Sequence, residues 1–114
     1  MPPMQLPEFI RAFPGLDIPF PADVVSTNAL RSDAGLAVFF TFHKAMDLPP
    51  HAHKAQWGTV IAGEIAFTIG GRTRICRPGD SYSIAAGEVH SASIAAGTVV
   101  IDVFEEADRY PLRG

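Results

Sequence analysis

His51 and His53 stand two residues apart in "PPHAHKAQWGTVIAGE" (49–64), and the chain has only two other histidines, His43 and His90. In an extended strand, residues i and i+2 share a face. The two imidazoles would then project side by side, and nitrogens so placed can bind one transition ion. The pair also admits two plainer readings, an exposed strand start after Pro49 and Pro50, or core residues. Two further features favour the metal. Gln56 follows His53 by three residues, just before an apolar strand. "PGDSYSIAAGEVH" (78–90) then delivers His90 at the end of a strand–turn–strand unit. A sheet closed on itself would set His90 opposite His51 and His53. Three neutral nitrogens and one amide oxygen would make a four-ligand set with positions left open for water or substrate.

Positioning such a set needs a closed β structure, and the rest of the chain reads that way. Ten glycines and ten prolines punctuate 114 residues. "LPEFIRAF" (6–13) has room for one or two helical turns, with Pro7 tolerated at its start and Pro14 ending it. No later window sustains a 3.6-residue apolar period. Short strands are expected instead, at "DVVSTNALR" (23–31), "LAVFFTFH" (36–43), "WGTVIA" (57–62), "IAFTI" (65–69), "RTRIC" (72–76), "SYSIA" (81–85), "EVHSASIA" (88–95) and "TVVIDVFEE" (98–106). The aromatic run at 36–43 reads as a strand buried on both faces. "DLPP" (47–50) reads as a break, because proline cannot donate to a ladder. Gly63 and Glu64 read as a hairpin turn between their flanking strands, and Gly70 and Gly71 as a second. About eight strands at this spacing predict an all-β sandwich or small barrel.

Composition bounds the partners. The hydrophobic fraction is 47% and the charged fraction 18%, values of a globular chain, expected to form one domain over 1–114. Net charge is −3 with scattered Lys and Arg, so no nucleic-acid partner is expected. One cysteine, Cys76, excludes an intrachain disulfide and a cysteine-based zinc site; it reads as a buried apolar residue. The N-terminal residues carry no long apolar run, so neither a signal peptide nor a membrane span is expected, and the location expected is cytoplasmic.

The residues resemble a known family. "HAHKAQWGTVIAGE" looks like the first cupin motif, with two histidines, a Glu or Gln shortly after and a glycine ending the strand. "GDSYSIAAGEVH" looks like the second, with Gly79, Gly87 and His90 on its spacing. Only residues 64–78 separate the motifs, a short gap like that of small microbial cupins. The resemblance covers roughly 35–105. It implies a double-stranded β-helix, or jelly-roll, barrel over about 23–106, with a short helical or irregular extension over 1–22. It also implies one divalent transition metal per chain, Zn, Fe, Ni or Mn undistinguished, held by His51, His53, Gln56 and His90. Ala45, Ala85 and Ile94 replace the glycine, proline and asparagine usual in the motifs, which touches turn stiffness more than ligation. The fourth ligand departs further. It is commonly glutamate, and the spacing to Gln56 is one residue short, which requires a bulge or bend at Lys54 and Ala55.

The function expected is that of a small metalloenzyme acting on a polar organic molecule by oxygenation, isomerisation, lyase chemistry or hydrolysis. The alternative is a non-catalytic cupin that binds or senses a small ligand. Glu88, His43 and Tyr82 are the acid–base candidates beside the metal, each with a plainer reading: a turn carboxylate, a satisfied core histidine and a packed phenol. Trp57, adjacent to Gln56, should face away from the metal. A homodimer is expected, because "LAVFF", "WGTVIA" and "TVVIDVF" give more apolar strand than one small barrel covers.

Overall fold

A computed structural model describes residues 4–113. One short helix, α1 (Glu8–Arg11), precedes nine strands: β1 (Val25–Ser32), β2 (Gly35–Phe42), β3 (Met46–His51), β4 (Gln56–Ala62), β5 (Ile65–Ile69), β6 (Arg72–Cys76), β7 (Ser81–Ile84), β8 (His90–Ile94) and β9 (Val99–Phe104). They form two antiparallel sheets, ordered β1-β2-β9-β4-β7 and β3-β8-β5-β6. From β2 onward the chain passes from one sheet to the other at every connection except the β5–β6 hairpin. This is the double-stranded β-helix that the resemblance implied.

Alternation along each strand builds the core. Leu36, Val38, Phe40 and Phe42 of β2 point inward and meet Val60, Ile65, Phe67, Ile84, Ile94, Val100 and Phe104 between the sheets. Each such side chain contributes roughly 1.5–3 kcal/mol by leaving water. Truncating fully enclosed Leu36 to Ala should cost about 2–5 kcal/mol.

Four expectations change. The strand at 36–43 is not buried on both faces; its alternate residues stay partly exposed, as suits a sheet with one face on the core. Gly63 and Glu64 do not close a hairpin. β4 pairs with β7 and β9, whereas β5 pairs with β6 and β8, so the turn carries the chain between sheets. Gly63 has φ 81°, and a Cβ there would overlap Thr98, whose hydroxyl is bonded to the Glu64 backbone. The strand count rises to nine because "DLPP" is no break. It lies inside β3, which tolerates Pro49 and Pro50 because β3 is an edge strand with only β8 beside it.

The prolines also set the site's register. Leu48 lies opposite Ala92, and His51 lies opposite His90, so β3 carries one extra residue. Without that bulge Pro50 would oppose His90, and His51 would point to the other face.

Candidate metal centre

Two strands and the connection after β3 carry the histidines to one mouth of the barrel. His51 ends β3, His53 follows it, and His90 opens β8 directly across from His51. The His51 and His90 rings are 4.2 Å apart, His53 and His90 4.8 Å, and His51 and His53 5.3 Å, centroid to centroid. One ring nitrogen from each lies within 4.8 Å of the others. The chain then bends at Lys54 and enters β4 in the opposite sheet, where Gln56 turns inward. The bend required by the short spacing is thus a crossing between sheets.

Backbone carbonyls fix the three imidazoles. His51 Nδ1 is 2.9 Å from the Pro49 oxygen, His53 Nδ1 2.6 Å from the Lys54 oxygen, and His90 Nδ1 2.9 Å from the Glu88 oxygen. A carbonyl only accepts, so each Nδ1 carries the proton and donates it. Every Nε2 is then left with a lone pair, the arrangement that supports a metal-binding histidine. His90 Nε2 is buried and has no partner among the described residues. Burial holds the His53 and His90 pKa values below the ordinary imidazole range, against the carbonyls that raise them; nearby Arg109 and His51 push the same way as burial. Both rings are therefore neutral near pH 7, as ligation demands. The donor set fits a divalent transition ion.

Behind the histidines lies a cavity of about 60 Å3, room for a few waters, with walls that are mostly apolar. Its polar features besides the histidines are Gln56, Tyr82, Asp102 and Tyr110. The Tyr82 hydroxyl donates to Asp102 Oδ1, and the Gln56 side chain also bonds this carboxylate. An ionised carboxylate only accepts, so the amide nitrogen of Gln56 faces Asp102. Burial pushes the Asp102 pKa up to about 6, although both hydrogen bonds pull it down.

The remaining candidates sit apart from this cluster. His43 is exposed, not a core histidine; its Nε2 meets Ser26 Oγ at 2.6 Å, in a surface groove beside the N-terminal segment. The Glu88 carboxylate accepts from the Ala85 amide at 3.2 Å and closes its own turn. Trp57 faces outward and Cys76 is buried, as expected. Two residues at the site went unnoticed in the sequence. Asp102 stands in phase with inward Val100 and Phe104, so an acid amid "TVVIDVF" was a readable signal. Arg109, whose guanidinium lies 4.6 Å from the Tyr110 ring centroid, offered none.

The model of the cupin domain matches residues 38–104, and the chain belongs to the cupin family. Among solved structures, it resembles an RmlC-like cupin from Shewanella frigidimarina NCIMB 400, with a TM-score of 0.75 and 24% identity over 96% of this chain and 97% of that one. It resembles KdgF from Halomonas sp. with a TM-score of 0.68 and 20% identity over 82% and 87%. An oxalate decarboxylase variant from B. subtilis gives 0.67 and 20% over 86% of this chain but 28% of that longer one. These identities show a shared fold. Among curated protein sequences there is no significant match.

Proposed function

We propose that the chain is a metal-dependent cupin enzyme acting on a small organic anion. One observation carries the reading. Among the described residues, only two buried side-chain nitrogens lack a hydrogen-bond partner, His90 Nε2 and Arg109 Nε. Buried polar atoms are nearly always paired, so two orphans call for absent ligands. His90 Nε2 suits the ion shared with His51 and His53. Arg109, whose charge acts on both His53 and His90, suits a carboxylate or similar anion arriving beside that ion.

A bound divalent ion would supply Lewis-acid polarisation of a substrate oxygen. Manganese is the first ion to test, because solved oxalate decarboxylase from B. subtilis has Mn(II) centers. Asp102 supplies proton transfer: with a pKa of about 6 it exchanges a proton near neutral pH, and Tyr82, whose phenol pKa is raised by burial and by Asp102, stays protonated and steadies it. Apolar walls close the cavity to all but a few waters. The same apolar lining also suits a cupin that binds its ligand without turning it over.

The test is calorimetric titration of chelator-stripped protein with Mn2+ and Zn2+, then of the loaded protein with small mono- and dicarboxylates. One ion per chain, lost in His90→Ala, and carboxylate binding lost in Arg109→Gln are expected. Carboxylate binding without turnover would leave the binding role. No stoichiometric ion in the wild type would end the metal reading.

A further inference from the structure

His53 lies beyond the end of β3, so no strand pairing fixes it. A surface link such as 53–55 ordinarily leaves its peptide groups to water. Here, from the His53 carbonyl to the Ala55 carbonyl, every one has a protein partner. The His53 carbonyl accepts from the Gly87 amide at 2.8 Å, in the turn before β8. The Lys54 amide donates to Glu106 Oε1 at 3.0 Å, and the Ala55 amide to Glu105 Oε1 at 3.2 Å. The Ala55 carbonyl accepts from the Glu105 amide at 2.9 Å. The one group left, the Lys54 carbonyl, is the acceptor for His53 Nδ1.

The Lys54 carbonyl and the Ala55 amide belong to one peptide unit. Glu105 therefore stands at one end of a chain of hydrogen bonds and His53 at the other: carboxylate, peptide, imidazole. A carboxylate drawing on the N–H makes the carbonyl of the same unit a stronger acceptor. The His53 proton is then held on Nδ1, and Nε2 becomes the more basic nitrogen, as when a carboxylate bonds a ligating histidine directly. Glu106 acts one unit earlier. It holds the Lys54 amide while Gly87 holds the His53 carbonyl, so the unit between those residues is gripped from both ends. Neither carboxylate belongs to an ion pair among the described residues. Both follow directly on β9, a strand paired on both sides. We propose that Glu105 and Glu106 are positioning residues for the metal centre, setting the tautomer and direction of His53 through the backbone of 53–55. The inference rests on the metal-dependent reading above, although the hydrogen-bond chain itself needs no ion.

Two measurements on the full chain at pH 7 test it: imidazole nitrogen NMR of the metal-free protein, and calorimetric titration with Zn2+. Circular dichroism and urea unfolding check the fold. In the wild type His53 should hold a single tautomer with the proton on Nδ1. Glu105→Ala should mix the His53 tautomers, leave those of His51 and His90 unchanged, and raise the Zn2+ dissociation constant about tenfold. Glu105→Gln keeps an accepting oxygen without the charge, so it should restore the tautomer and most of the affinity. Glu106→Ala leaves the Glu105 bonds in place and serves as a second arm, whether or not Glu105→Ala folds. It should speed hydrogen exchange at the Lys54 amide and weaken Zn2+ binding. A lower urea stability in the alanine variants, with the His53 tautomer and Zn2+ affinity unchanged, would mean a merely structural tie and would overturn the proposal. A wild type that takes no ion would end the metal reading, whereas a His53 tautomer that follows Glu105 would still uphold the positioning.

Discussion

Tyr82 and Asp102 meet across Gly58. Gly58 is the register partner of both, Tyr82 on β7 and Asp102 on β9, and the phenol donates to the carboxylate over the strand between them. A Cβ at Gly58 would overlap both Asp102 Oδ1 and the Tyr82 hydroxyl. Glycine in a strand interior ordinarily costs stability relative to alanine. Here the order should reverse. Gly58→Ala should lose about 1–3 kcal/mol in urea unfolding, by forcing apart a buried pair. A neutral or stabilising result would mean the pair relaxes freely.

Asp102 should give the fold a pH signature. Its folded pKa, about 6, lies above the ordinary 3.8, so its ionisation opposes folding. The stability it contributes is fully present below pH 3.8 and is lost as pH rises through 6. Asp102→Asn removes that loss. The variant's stability relative to wild type should therefore rise from pH 4 to pH 7, by on the order of 1–3 kcal/mol. A difference that does not vary with pH would show that the carboxylate is not held in this way.

His53 and His90 act with the opposite sign. Their folded pKa values lie below 6.5, so their contribution is complete above pH 6.5 and is lost as pH falls through the lowered values. Metal binding should weaken over that same acid range, because a ligating imidazole must be neutral. At pH 7, His51→Ala and His90→Ala should abolish stoichiometric binding, while His43→Ala, remote in its surface groove, should retain it. Full metal content in the first two variants would mean the ligands lie elsewhere.

Gln56 makes a finer test. Glutamate there would strengthen an ion's hold, yet it would place a second carboxylate against Asp102. Gln56→Glu should tighten metal binding while destabilising the metal-free protein at pH 7, and adding Asp102→Asn should relieve the destabilisation. Gln56→Leu should weaken binding by less than loss of a histidine does. Unchanged affinity in both single variants would leave a site of three histidines.

Much of this architecture could be read from the residues, and the failures have physical causes. Two-residue spacing led to a shared strand face for His51 and His53, but β3 ends at His51 and His53 lies beyond it, so the chain's exit toward β4, not strand periodicity, brings the two rings together. The meeting with His90 came from paired motifs. The β4–β5 connection was misread because a glycine at positive φ serves a hairpin and a crossing between sheets equally well; only strand pairing tells them apart. "DLPP" was misread because the rule against proline in sheets is relaxed at an edge, and being an edge is a property of the whole sheet. Asp102 was legible in part, because its phase with Val100 and Phe104 sets an acid among inward residues, but its partners Tyr82 and Gln56 come from other strands. Gly58 gave no local sign at all, since the groups that crowd it come from β7 and β9.

The bulged edge strand has a consequence for traffic at the site. β3 is tied along one side only, and Pro49 and Pro50 offer it no amide donors. His51 and His53 therefore ride at and just beyond the end of a strand held on one side only, while His90 is anchored on β8, which has neighbours on both sides. An ion shared among them would act as a clasp, pinning a free hem to the body of the fabric. Loading and release would then follow the fraying of β3 instead of any wider opening of the barrel, and its amides should be the ones whose hydrogen exchange slows most when the clasp closes.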